Sequence, residues 1–125
     1  MIDLAEGWSL TVDEGPEWLF FRLSQVSDEH ELEPELAKVV WRHAEQRGRK
    51  RLVFELDHHT LLSSYLIGQL VLLHKRAEIE GGVFRLCDFA EYAHQALARM
   101  GMASRFPNYR NREDAVMGHL PQTRV

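Results

Sequence analysis

One stretch, Arg51 to Leu86 (RLVFELDHHTLLSSYLIGQLVLLHKRAEIEGGVFRL), narrows the folds open to this chain more than any other. Arg51 to Leu56 is mostly apolar and then alternates, Ser64 to Glu80 keeps a helical apolar period, and Val83 to Leu86 restarts a strand. Strand, loop, helix, Gly-Gly turn and strand make a βαβ unit, whose strands are expected to be parallel and joined by a right-handed crossover. In the helix, Leu62, Leu66, Leu70, Leu73 and Ala77 form a core stripe that Ile67 and Val71 widen, while Gln69, Lys75, Glu78 and Glu80 are polar. Gly81-Gly82 is the expected stop. Asp57, His58, His59 and Thr60 form the polar exit from the first strand, and two serines, Ser63 and Ser64, follow at the mouth of the helix. Open α/β sheets build their sites in this crevice outside the strand carboxyl ends.

The flanking sequence supplies the remaining layers. Trp8 to Val12 and Glu17 to Leu23, separated by Asp13-Glu14-Gly15-Pro16, predict a hairpin. Ser24 to Glu33 is acidic (Asp28, Glu29, Glu31 and Glu33, continued by Glu35), which suits a solvated helix entry or a patch for a basic partner. Pro34 at a first helical position, the apolar set Leu36, Val39, Val40 and Ala44, and Gly48 as a stop predict a first helix. The basic cluster Arg47 to Arg51 then opposes the negative end of its dipole. After the second strand of the βαβ unit, Asp88 and Glu91 have capping-box spacing, and Phe89, Ala93, Ala96, Leu97 and Met100 form the face of a third helix ending at Gly101. Arg105-Phe106 is a candidate last strand, and Asn111 caps a short helix running to Met117.

At 125 residues the chain suits one domain, with a core over about 8–118 and a frayed tail at 119–125. The net charge of −4 gives no reason to expect a nucleic acid or an anionic membrane as partner. The longest apolar run, Leu66 to Leu73, is broken by Gly68 and Gln69 and falls short of the roughly 18 residues of a spanning helix. The opening MIDLAEGWSL carries acids where a signal peptide carries positive charge, so a cytoplasmic protein is expected. Cys87, the single cysteine, excludes an internal disulfide and a Cys-based zinc site, and its place after a strand suits a buried thiol.

A serine at a helix start is most simply an N-cap, worth about 0.5–2 kcal/mol against alanine. The same geometry aims backbone N–H groups and the positive dipole end outward, where a phosphate is well received. A phosphoserine would add about −1.5 to −2 charges there. His58 and His59, adjacent on an extended segment, point to opposite faces and do not chelate one ion. His30, His43, His74, His94 and His119 are scattered, so no metal and no cofactor is expected. A hydrolase triad of Ser63, His59 and Asp57 lacks the glycine-flanked nucleophile turn, and Tyr65 crowds it. The Tyr65 ring either packs on the loop or presents an aromatic to a partner.

The strand, the LLSSYLIGQL helix, Gly-Gly, the VFRLCDF strand, the segment ALARMGMASRF and the ending NREDAV together resemble the STAS domain of bacterial anti-sigma-factor antagonists, over roughly residues 15 to 118. The resemblance implies an α/β fold with a mixed, mostly parallel sheet and helices packed against it. In that family an Asp-Ser-Ser-Gly loop opens the helix, and its first serine is phosphorylated by an anti-sigma factor that is also a kinase. Matching that loop puts the phosphoacceptor on Ser63, ahead of Ser64, with Leu62 in place of the Asp and Tyr65 in place of the Gly. The function implied is a regulator without catalysis of its own, binding an anti-sigma factor or related serine kinase through Asp57, His58, Leu62, Ser63, Ser64 and Tyr65. A non-phosphorylated scaffold subunit and a small serine hydrolase are the alternatives.

Overall fold

In a computed structural model of the chain, residues 2–5, 7–25, 35–58, 60 and 62–120 are described. They contain strands β1 (Ile2–Ala5), β2 (Trp8–Glu14), β3 (Trp18–Gln25), β4 (Arg51–Leu56) and β5 (Val83–Cys87), and helices α1 (Leu36–Gln46), α2 (Ser64–Ile79), α3 (Glu91–Arg99) and α4 (Arg112–Met117). The acidic run from Asp28 to Glu33, Pro34, His59 and the tail 121–125 lie outside the described residues.

The strands form one mixed sheet in sequence order. β1 to β3 pair antiparallel, whereas β3/β4 and β4/β5 are parallel. The hairpin and the parallel βαβ pairing follow the sequence reading. Edge strand β1 does not, and by adding a second antiparallel pair it makes the two kinds equal in number. Where parallel strands follow one another in sequence order, crossovers of one hand leave their helices on the same face. Accordingly α1 and α2 both cover the face formed by Leu19, Phe21 and Leu23 of β3, Leu52, Phe54 and Leu56 of β4, and Phe84 and Leu86 of β5. Leu36, Val40 and Ala44 of α1 and the predicted stripe of α2 enter this core, and Ala93 and Leu97 of α3 extend it. The Phe54 ring lies at its centre, 6.3 Å from Phe21 and 6.1 Å from Phe84.

The opposite face is held differently. There α4 packs near β4 and β5, and Trp18, Val53, Cys87, Tyr109 and Ala115 form a small second cluster. Beside it Glu55, buried on β4, accepts from Arg22 Nη1 at 3.2 Å and from Arg112 Nε. Arg112 Nη1 also donates to Asp13 at 2.8 Å, and its guanidinium sits 5.1 Å from the centre of the Phe20 ring.

Two helix ends give roles to Gln69 and to the Gly81-Gly82 pair. The Ala37 N–H at the start of α1 donates to Gln69 Oε1 of α2 at 2.9 Å, so a polar residue beside the core stripe joins two helices. At the end of α2, Gly81 (φ 75) donates to Glu78 O and Gly82 to Ala77 O, the paired bonds of a Schellman ending. A Cβ on Gly82 would fall 2.1 Å from the Lys50 carbonyl oxygen, so the first glycine is required for conformation and the second for space.

Two local expectations are corrected. Asp88 does not cap α3: it adopts φ 51, and the cap position is Ala90, extended at φ −68 and ψ 157. An N-cap needs extended backbone, and Asp88 is turned aside by the bond from its N–H to Tyr109 O at 2.8 Å. Phe106 is buried, but Arg105-Phe106 is a turn, and the residue that bridges to Cys87 is Tyr109. Pro107 lacks the N–H that a continued ladder would need. The predicted Asn111 cap is present, accepting from the Asp114 N–H at 2.8 Å.

Candidate functional site

The predicted site residues gather where β4 ends and α2 begins. Asp57 follows β4 with its N–H donating to Leu23 O at 3.0 Å, and its carboxylate lies 3.8 Å from Arg22. The Thr60 N–H returns to Asp57 O at 2.9 Å. Ser63, extended at φ −75 and ψ 166, is the N-cap of α2, and its Oγ accepts from the Leu66 N–H at 3.1 Å. Ser64 is the first helical residue and exposed; Tyr65 beside it is 42% exposed. The cap reading of Ser63 thus holds, and the more open hydroxyl is that of Ser64.

Leu62 behaves unlike its neighbours. It was expected to offer apolar area to a partner, but its side chain is buried in the main core. It fixes the loop from below while Ser63, Ser64 and Tyr65 stay at or near the surface. His58 is exposed, with Nε2 3.0 Å from Asp88 O and 3.3 Å from Asp88 Oδ1. The loop is therefore tied to the turn after β5.

A further tie comes from Tyr92, which no local pattern singles out. The Tyr92 hydroxyl on α3 reaches the carbonyl oxygens of both His58 and Thr60, the latter at 2.7 Å, and its one proton serves either. Burial, reinforced by the Asp57 carboxylate, pushes the phenol pKa up, so the group remains a donor. Only the order of the folded chain brings residue 92 to residues 58 and 60. Asn108 acts alike on the far side of Asp88, accepting from the Phe89 N–H at 3.2 Å and donating to Phe89 O at 2.9 Å.

His59 of the conceivable triad lies outside the described residues. Among the described residues no group of three or more His, Cys, Asp or Glu side chains is placed to hold a metal ion. Cys87 is buried, and burial followed by the nearby Glu55 carboxylate raises its thiol pKa to about 12. Among the described residues no helix is long and apolar enough to cross a membrane.

No protein-family model and no curated protein matches the chain. Solved structures do. An anti-sigma-factor antagonist (STAS) domain protein from Planctomyces limnophilus superposes with a TM-score of 0.70 at 21% identity, over 87% of this chain and 96% of that one. The chain has a STAS-like fold. The NMR structure of the protein TM1081 agrees, at a TM-score of 0.69 and 17% identity over 85% of this chain and 84% of that one. At such identities the likeness is one of fold, and it bears out the architecture inferred from the sequence. In this STAS-like chain Ser64 and Tyr65 are exposed at the mouth of α2, with Leu62 buried before them and Tyr92 bonded to the carbonyls of His58 and Thr60.

Proposed function

We propose that the protein is a regulator of the anti-sigma-factor antagonist kind, which binds an anti-sigma factor or related serine kinase through the mouth of α2 and has no catalysis of its own. The observation that carries this reading is the N-cap geometry: Ser63 Oγ bonded to the Leu66 N–H, with Ser64 and Tyr65 exposed beside it. A partner meeting this surface finds a hydroxyl pair, one aromatic ring and the positive end of a helix dipole. Phosphate on Ser63 keeps an acceptor at the cap, so the helix start tolerates it, while the partner meets a new dianion. Loss of docking on phosphorylation then follows from charge and desolvation, with no refolding of the domain. Asp57 and His58 form the rim, and Leu62 holds the loop in register from the core.

The likeness in fold to an anti-sigma-factor antagonist supports the class of partner. The test is incubation with ATP and the kinase that co-purifies from the native cell, followed by mass spectrometry and affinity measurement. Phosphate is expected on Ser63, and Ser63→Asp, which retains a good N-cap, is expected to weaken partner binding by roughly tenfold or more. Absence of phosphate on Ser63 together with unchanged affinity of Ser63→Asp would overturn the switch.

A further inference from the structure

A second surface lies on the flank of the molecule. Helix α2 leaves Leu72 54% exposed and Ile79 79% exposed, and residues seven apart lie on nearly one helix face. Across from them α1 contributes Ala37 and Trp41, and together these side chains floor an open groove of about 610 Å³ between the two helices. Leu72 and Ile79 are roughly 10 Å apart along the axis at 1.5 Å per residue, the length of about two helical turns. The opposing edges are cationic: Lys38 and Arg42 on α1, Lys75 and Arg76 on α2, with Glu45 the one acid among the lining residues. The Arg76 guanidinium sits over Trp41 at 5.3 Å and pairs with Glu80 at 3.2 Å. Lys38, Arg42 and Lys75 are exposed and form no ion pair among the described residues. In a chain of net charge −4, this concentration of positive charge around exposed aliphatic side chains runs against the overall sign.

We infer that the groove between α1 and α2 docks an acidic amphipathic helix of a partner protein. Such a helix lays apolar residues at i, i+3, i+4 and i+7 along Leu72, Trp41 and Ile79, and its flanking carboxylates meet the cations on both edges. A second copy of this chain is a poor occupant, because a two-fold contact sets the same patch against itself and so cations against cations. The surface is separate from the serine loop. Leu72 is roughly 12 Å along α2 from Ser64, and the inference does not rest on phosphorylation of Ser63.

The test uses a synthetic peptide of about 18 residues, long enough to form a helix, with leucines at that spacing and glutamates on its flanks, and a counterpart carrying lysines instead. Titrated into the 15N-labelled full chain, the glutamate peptide is expected to bind saturably, to shift the amides of residues 37–45 and 72–80, and to weaken as salt rises. Arg42→Glu with Lys75→Glu, and separately Leu72→Ser with Ile79→Ser, should each lower its affinity by roughly tenfold or more. All four residues are exposed, so an unchanged thermal midpoint accompanies the loss. Equal binding of the lysine peptide, shifts centred outside the groove, affinity unchanged by charge reversal, or no saturation up to about 1 mM would each overturn the inference. So would sedimentation showing that the free chain already buries this face in a dimer lost in the serine variant.

Discussion

Phe54 and Glu55 are neighbours on β4 and point into two different chemistries. Phe54 enters a dry core of aliphatic and aromatic side chains roofed by α1, α2 and α3, whereas Glu55 enters a set of paired charges and stacked arginines beside α4. The difference follows from topology. Parallel strands laid down in sequence order put the crossover helices on one face, so the other must be finished by whatever follows β5. A short C-terminal helix covers only part of it, and long arginines, with apolar stems and wet heads, cover the rest. Arg85 shows the economy of this: it lies 5.7 Å from the Trp18 ring and 5.8 Å from that of Tyr109 while donating to Ala115 O at 2.7 Å near the end of α4.

The largest effect is expected on the helix face. Phe54→Ala removes a fully buried ring flanked by two others and should cost about 3–5 kcal/mol in chemical denaturation, largely independent of salt. On the opposite face Glu55→Gln leaves two arginines without their shared carboxylate. Removing one member of a fully buried pair costs about 3–5 kcal/mol, but the Arg22 and Arg112 side chains are 40% and 35% exposed and regain water, so about 1–3 kcal/mol is expected here. Its loss should shrink in high salt, as that of Phe54→Ala should not. Equal salt response in the two variants would erase the distinction between the faces.

Cys87 probes the same boundary through pH. Its thiol pKa rises from 9.0 to about 12, first through burial and then through the Glu55 carboxylate. Above pH 9 the unfolded chain loses this proton while the folded one keeps it, so the stabilisation is full below pH 9 and is lost as pH rises from 9 towards 12. By pH 10 the loss amounts to about 1.4 kcal/mol for a group shifted by more than one unit. Cys87→Ala should remove that part of the alkaline slope, measured as the denaturation free energy at pH 8 and pH 10, and the native thiol should resist modification at pH 8. A slope unchanged by Cys87→Ala would place the alkaline sensitivity elsewhere.

The two faces were also unequally legible in the sequence. Apolar periodicity carries the helix face directly, because Leu66, Leu70, Leu73 and Ala77 recur at helical spacing and Leu52, Phe54 and Leu56 at strand spacing, and both sets are buried. The Ser63 cap was legible for the same local reason, since N-cap and partner are three residues apart. Arg112, Glu55 and Asp13 carry no such period; 57 and 99 positions separate the bonded pairs, and only the sheet order joins them. Tyr92 escaped notice likewise, as its bonds to the loop span 34 and 32 positions. Leu62 carries two signals in the sequence, a place beside the serines that suggests exposure and a place in the apolar stripe that points inward, and its side chain is buried. Strand β1 gives no clear signal in sequence because its four residues, Ile2–Ala5, are too few to display an alternation before β2 offers them an edge.

The smallest expected effect decides what kind of interaction the charged face uses. Arg112 reaches three partners at once: the Glu55 carboxylate, the Asp13 carboxylate at 2.8 Å and the Phe20 ring at 5.1 Å. A lysine keeps the charge but offers a compact ammonium without the planar fork, and it stacks less well on a ring. If planar, forked geometry matters, Arg112→Lys should cost about 0.5–1 kcal/mol, and that cost should persist in high salt because the stacking is not screened as a long-range charge is. If charge alone matters, the lysine variant should match the parent at low salt. Denaturation of the two proteins at low and high salt separates these outcomes. A persistent deficit would mean that the stacked arginine, as well as the ion pairs, holds α4 to the sheet.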